Sequence, residues 1–414
     1  MSQLSVGAAP QYYLPSSQDQ VPQAWQSNKA AKPVNCSLQT TNVPAMSGNA
    51  GPSGTTNIQL PLGASSGLML NAYLRFDVSC TRPTATTVSF KGPNQVATSM
   101  INTYTTFVNS VQVDQIANYD HVAEQIFSHG TSNDWLARDA SILMNAGVSY
   151  GSATTDVNFG TQVIPLFGML GSQQAFPAYL CNGTLQISIQ WNSIARAFIS
   201  TAGNVGTFTV SNVQLVYDKI TPEQAFVDAV KSSMAMSNNK YVLGYLNLEN
   251  SAFSVANTSA SIQYGLNVSS LRAIVADQCL LPDAAADAAL SVPNGLTNFA
   301  VSLDGRLVNN TALIANGPDG SNSVVFAELQ KCFSRIFDAS VTDVATETTY
   351  NTNYFAVGVS TCRVNEALAF TGSPATQVSI AYNRTAGAAA TLFITFMSDR
   401  QLLIDASGQI SLIR

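Results

Sequence analysis

"LMLNAYLRFDVSC", residues 68 to 80, places Leu68, Leu70, Ala72, Leu74, Phe76, Val78 and Cys80 in one phase of an alternation. Met69, Asn71, Tyr73, Arg75, Asp77 and Ser79 fill the other. A side-chain period of two assigns the first set to a buried sheet face and the second to water or a partner. At about 3.3 Å per residue the run spans roughly 40 Å, about twice a typical strand.

Other segments extend this reading. Upstream, "NIQLPLG" (57–63) alternates Ile58, Leu60 and Leu62, and "GASSG" (63–67) turns the chain into the long strand, a hairpin pattern. Downstream, "GTLQISIQW" keeps Leu185, Ile187, Ile189 and Trp191 in phase. In "GTFTVSNVQLVYDKI", Phe208 and Val210 hold one phase and Val213, Leu215 and Tyr217 the other, which predicts a bulge near Ser211 and Asn212. Between these strands "NYDHVAEQIFSHG" and "SNDWLARDASILMNAG" carry helical spacing and stop at Gly130 and Gly147.

"TPEQAFVDAVKSSMAMSNNK" (221–240) marks a boundary. Thr221 is the expected N-cap, Pro222 the first helical residue and Gln224 the closing residue of a capping box, with Phe226, Val230 and Met234 on one stripe. Met234 and Met236 read as packing residues. From Tyr241 the pattern begins again. "YVLGYLNLENSAFSV" and "SASIQYGLNVSSLRAIVAD" stand where the first hairpin stood, and "NFAVSLDGRLV" (298–308) stands where "TFVNSVQVDQI" (106–116) stood. The helix "SVVFAELQKCFSRIFD" follows, with Phe326, Leu329, Phe333, Ile336 and Phe337 on one face. "TNYFAVGVSTC", "TQVSIAYNR", "ATLFITFMSD" and "RQLLIDASGQISLI" close the second half. The offset, on the order of 190 residues, is that of a duplicated domain. Eight antiparallel strands in two facing sheets form a jelly roll. The expected fold is therefore all-β with inserted helices, in two tandem eight-stranded jelly rolls. The expected division is an extended arm over 1–50, a first roll over 51–220, a linker helix over 221–240 and a second roll over 241–414.

Composition narrows function. Of 414 residues 46% are hydrophobic and 10% charged, well under the roughly 25% charge of ordinary soluble domains. Weakly charged surface is cheap to desolvate, which suits extensive protein contact. The net charge of −6 and an N-terminal stretch whose basic groups are Lys29 and Lys32 argue against gripping nucleic acid. Six scattered cysteines, Cys36, Cys80, Cys181, Cys279, Cys332 and Cys362, form no CxxC pair and read as reduced thiols. The start lacks a basic segment followed by an apolar core, so no secretory signal is expected and synthesis looks cytosolic. Asn182-Gly-Thr and Asn383-Arg-Thr then read as compositional accidents rather than glycan acceptors. The most apolar tract, "AGAAATLFITFM" (386–397), is a strand too short to span a bilayer.

Chemistry is sparse. Ser65 in "GASSG" matches G-x-S-x-G, but a nucleophile elbow needs a helix after the serine, and here strands flank it. His121 and His129, the sole histidines, lie eight apart, cannot make an HExxH pair and read as structural surface or helix-end residues. Asp319 in "GPDGSN" lacks the acidic ladder of a calcium loop. The pairs Asp283 with Asp287, and Asp338 with Asp343, depend on a separation that sequence does not supply. No catalytic, cofactor-binding or metal-ligating residue is assigned, and no enzyme is expected.

"TQVIPLFGMLGSQQAFPAYLCNGTLQISIQWN" (161–192) and "FTVSNVQLVYDKI" (208–220) resemble the major capsid proteins of the double jelly-roll lineage, which includes adenovirus hexon, membrane-containing bacteriophages, virophages and polinton-like viruses. In that family a strand ending in a Pro-Leu turn precedes a strand pair of this type, and a final strand of the second type closes the first roll. The resemblance implies a structural protein forming pseudo-hexagonal homotrimers that tile an icosahedral shell, with long strands standing upright in the wall. It implies a virion location and contacts with neighbouring capsomers, penton and minor or cement proteins, with the arm over 1–50 a candidate for ordering against neighbouring trimers, minor proteins or an internal membrane. Two other readings of a β-sandwich chain are a carbohydrate-binding or carbohydrate-active protein, and a single jelly-roll capsid protein with a protruding domain.

Overall fold

The computed structural model describes residues 36–82, 87–132, 135–150, 156–172, 174–200, 206–237, 239–255, 259–280, 291–308, 313–315, 322–333, 347–362, 372–385 and 388–414. In its first half the strands are β1 (Cys36–Pro44), β2 (Thr55–Leu62), β3 (Leu68–Thr81), β4 (Val88–Phe90), β5 (Ile101–Val108), β6 (Val111–Ala117), β7 (Asp156–Pro165), β8 (Gly183–Trp191), β9 (Phe198–Ser200) and β10 (Thr207–Pro222). They build two four-stranded antiparallel sheets, ordered β1-β10-β3-β7 and β2-β8-β5-β6, with β4 and β9 as a separate ribbon. That order is a jelly roll. The layers meet through side chains such as Phe76 of β3 and Trp191 of β8, both fully buried with ring centroids 5.1 Å apart. The Trp191 indole N–H donates to Thr56 Oγ1 at 2.8 Å, so the large ring buries no unpaired donor.

The second half contains β11 (Tyr241–Val255), β12 (Ala260–Cys279), β13 (Leu296–Leu303), β14 (Arg306–Leu307), β15 (Leu313–Ile314), β16 (Ala356–Ser360), β17 (Ser373–Arg384), β18 (Ala390–Ile404) and β19 (Ile410–Ile413). Here the hydrogen bonds join everything into one nine-stranded sheet. Its paths are β11-β18-β12-β16 and β12-β17-β13-β14, which repeat the first half strand for strand. The single sheet arises because β12 serves both layers. Its residues 260–265 pair with β17, register slips occur between Gly265 and Leu271, and its end pairs with β18 and β16. Asn267 sits at φ 50° in this corner, and the Ser270 hydroxyl donates to Asp399 Oδ2 at 2.6 Å. In the first half the same corner is a break between β2 and β3. There Gly67, at φ 69°, passes so close to the Ile220 carbonyl that a Cβ would lie 2.4 Å from its oxygen.

The bend of β12 leaves the last residues of β18 without that neighbour, and β19 takes its place, pairing Gln401–Ile404 with Ile410–Ile413. The Ser269 N–H donates to Arg414 O at 3.0 Å and ties this strand to the corner.

The expected bulge at Ser211 and Asn212 is present: the register slips between Ser211 and Gln214, and Asn212 adopts φ 51°. A second irregularity corrects the reading of β3. Asn71, at φ 49°, shifts the phase where β3 passes Tyr217, so Met69 is buried and Leu70 is half-exposed, contrary to the unbroken alternation expected from 68 to 80. The arm expected over 1–50 also needs correction. Cys36–Pro44 is a strand in register with β10, from Cys36 opposite Pro222 to Pro44 opposite Gln214. Most of its side chains are exposed on both faces, so no burial period marks it in the sequence. The same pairing holds Thr221 and Pro222 in β10, and the helix, α2 below, starts at Gln224 rather than capping on Thr221.

The helices that bear on the site are α1 (Tyr119–Gln125), α2 (Gln224–Ser237) and α3 (Ser323–Cys332). Helix α2 buries Val227, Val230 and Met234, while Met236 is 88% exposed, so the two methionines face opposite ways. On α3 Val325 and Leu329 are buried and Phe326 and Phe333 pack against the core; Ile336 and Phe337 lie outside the described residues. Strand β18 runs unbroken to Ile404 where two closing strands are expected from the sequence.

Candidate functional site at the seam between the rolls

Asn118 ends β6 in the left-handed region, φ 48°, and turns the chain into α1, which a π-type turn continues to Gly130. This segment of the first roll lies on the second. His121 stacks flat on Phe393 of β18, centroids 3.5 Å apart, with Nδ1 3.5 Å from Asp277 Oδ2 of β12. The Gln125 amide donates to Asp277 Oδ1 and accepts from Thr395 Oγ1 at 2.6 Å, and Thr395 accepts from Asn250 Nδ2 at 2.8 Å. Asn118 Nδ2 donates to Asn250 Oδ1 at 2.9 Å. His129 lies between Phe333 and Tyr350, and Tyr354 OH donates to Asn94 Oδ1 at 3.3 Å. Both histidines are buried at this junction rather than on the surface, and His129 lies in the last turn of its helical segment, the other place expected.

Charge at the seam is asymmetric. Asp120 accepts two bonds from Arg196, from Nε at 2.7 Å and from NH2 at 2.9 Å, and the guanidinium lies 5.5 Å from the Phe393 ring. Glu124 Oε1 accepts the Asn94 N–H at 2.7 Å. Burial pushes the Glu124 carboxyl up to about 8; the bonds from Asn94 oppose the rise, and Asp277 and Asp120 add to it. Lower in the seam Asp114 of β6 is buried and accepts the Met169 N–H at 2.7 Å. Burial raises it to about 6, against the hydrogen bonds from Met169 and Thr106 and the Arg400 charge. Arg400 and Tyr245, both from the second roll, donate to Val113 O at 3.1 and 2.7 Å.

This arrangement aligns no nucleophile with a base. Among the described residues no three His, Cys, Asp or Glu side chains form a metal-binding group. What it does is fix one roll against the other: buried polar groups find partners across the junction, and each lost partner would leave an unpaired group behind. Ser65 is itself exposed, in a one-turn 3-10 segment between β2 and β3, as a turn residue would be. Asp283, Asp287, Asp319, Asp338 and Asp343 lie outside the described residues. Of the cysteines, Cys80, Cys181 and Cys279 are buried. Asp277, Thr395 and Arg400 were not singled out by sequence, because their partners lie more than a hundred residues away. Their one signal is a polar residue inside an apolar strand, "AIVADQC" and "FITFMSDR".

No family model and no curated protein matches the sequence. Solved structures do match the fold. A chain of the PBCV-1 virus capsid is similar with a TM-score of 0.61 at 9% identity, covering 94% of this chain and 99% of that one. The Faustovirus major capsid protein gives 0.60 at 10% identity, covering 92% of each chain. A chain of the Sputnik virophage gives 0.55 at 14%, covering 93% of this chain and 90% of that one. At such identities the likeness is one of fold, and the fold is the double jelly roll.

Proposed function

We propose that this chain is a non-enzymatic major capsid protein whose two rolls fill two of six equivalent places in a homotrimer, the trimers tiling an icosahedral viral shell. The observation that carries the reading is the repetition of a complete jelly-roll strand order within one chain, the copies locked side by side by the seam. Three such chains make a pseudo-hexagonal block, which reuses one kind of contact around a ring. The first roll, from β1 through β10, and the second, from β11 through β19, are its two domains, with α2 as the link. The low charge, 10% of residues, fits subunits buried against several neighbours. Its place is the virion wall. Its partners are further copies and adjoining capsomers, with penton, minor or cement proteins and an internal membrane as the remaining contacts.

Light scattering on the purified chain tests this. A stable species of three times the 43.7 kDa chain mass is expected, and electron microscopy should show hexagonal blocks. A monodisperse monomer at micromolar concentration would overturn the reading.

A further inference from the structure

The central strand pair of the second roll, β18 and the end of β12, is buried on both faces: Phe393 through Ser398 are all buried, and so are Ala273 through Cys279. Their inward face holds the core residues Ile274, Ala276, Ile394 and Phe396. Their outward face, Asp277, Phe393 and Thr395, is covered by α1 of the first roll. Among the described residues the counterparts in the first roll, β3 and β10, are covered mainly on the inward face, with Val216 the one outward residue named below that is buried. Outward stand Tyr73, Arg75 and Asp77 on β3, opposite Val216, Gln214 and Ser211 on β10, with Leu38, Thr40 and Asn42 alongside on β1. Arg75 and Asn42 are exposed, Tyr73 and Asp77 half-exposed, and Leu38 is 72% exposed.

An antiparallel sheet with one wet face is ordinary by itself. What singles this face out is that the same face of the same strand order is already an interface in the second roll. Both faces are polar and internally hydrogen-bonded. Asp77 accepts from Thr161 and Asn212 at 2.6 Å each, and Asp218 from Thr40 and Asn71 at 2.9 Å each. The contact in the chain is head-to-tail, since the segment after β6 of one roll meets the outer β11-β18-β12 face of the next. Such a contact repeats until the ring closes. We infer that the outer face of the β1-β10-β3-β7 sheet is the docking surface for the second roll of another copy of this chain, the seam's contact repeated between subunits. This rests on the trimer reading above and adds to it which surface makes the trimer.

The test places negative charge on this face, Leu38→Glu with the charge reversal Arg75→Glu, assayed by light scattering at matched concentration, with Gln59→Glu on the exposed face of β2 as control. The double variant should run as a folded monomer at concentrations at least tenfold above those at which the parent is trimeric, while the control stays trimeric. A double variant that remains trimeric beside a trimeric parent overturns the surface and leaves the trimer reading standing. A monomeric parent overturns the trimer reading itself. If circular dichroism shows the double variant unfolded, Leu38→Glu alone carries the test, at a side chain that buries little in the isolated chain, with the same two outcomes.

Discussion

The two rolls have the same strand order and different surroundings, and the equivalent strands record the difference. Strand β10 reads "TFTVSNVQLVYDK", apolar on alternate residues except at the run Leu215–Tyr217, and apart from Val216 it is buried on one face. Strand β18 reads "TLFITFM", apolar in both phases with Thr391 and Thr395 as its polar residues, and is buried on two. The same contrast runs along β12, where burial alternates through residues 260–270 and becomes nearly continuous once the strand enters the seam. Alternation therefore reports how many faces of a sheet are covered, not which fold the sheet belongs to. Fold comes from the order of the elements, environment from the purity of the period.

The largest expected effect compares outward residues directly. Phe393→Ala removes a ring that stacks on His121 and lies near the Arg196 guanidinium, and should cost about 3 kcal/mol in urea unfolding. Tyr73→Ala, outward on the uncovered sheet, should cost under about 1 kcal/mol in the dissociated chain. Equal costs would remove the contrast between the rolls.

Acidity probes the seam next. Glu124 binds its proton in the folded chain up to about pH 8 and, unfolded, only up to its ordinary value of 4.5. Between those values the folded state holds more protons, so stability falls as pH rises through this window and is greatest below it. The loss attributable to Glu124 is on the order of 2 kcal/mol after discounting for its partial exposure. Glu124→Gln, melted across pH 4 to 9, should flatten the part of the curve between 6 and 8; an unchanged slope would assign it elsewhere. The remaining slope below pH 6 belongs in part to Asp114, raised from 3.8 to about 6 with the same sign.

Smaller still, Asp277→Ala should cost about 1–2 kcal/mol by stranding Gln125 and Ser291. In a double-mutant cycle with Gln125→Ala the two losses should not add, and strict additivity would mean that the bond across the seam contributes nothing. Smallest, Asn212→Val and Asn267→Val each force a branched side chain into a positive φ, at about 1 kcal/mol. Replacement by glycine should be close to neutral at both, since each serves the same geometric need in its own roll.

Much of this fold is legible in the sequence. The two rolls, their hairpins and the bulge at Asn212 follow from period and turn chemistry. The paired hairpins at 106–116 and 298–308 turn through Asn109-Ser110 and Asp304-Gly305, all at positive φ, as tight two-residue turns require. Strand β1 is not legible, because a strand exposed on both faces has no burial pattern to imprint. The phase of β3 is misread at Asn71 because an asparagine in an alternating run looks like any outward polar residue until its backbone angle is known. The seam escapes because a buried Asp or Thr is recognised by its partner, and Gln125 and Thr395 are 270 positions apart. Besides the polar residues set inside apolar strands, its trace is that β18 is apolar in both phases, which sequence alone assigns to a core strand rather than to a covered outer face.

The shared strand of the second roll has a mechanical consequence. Where the first roll hands its chain from one layer to the other through a short loop, β12 carries continuous backbone around the corner, so a pull on one layer reaches the other through covalent bonds rather than through sliding side chains. Under lateral load the first roll should therefore shear between its layers before the second does, making the stiffer half of each chain the one whose layers share a rib.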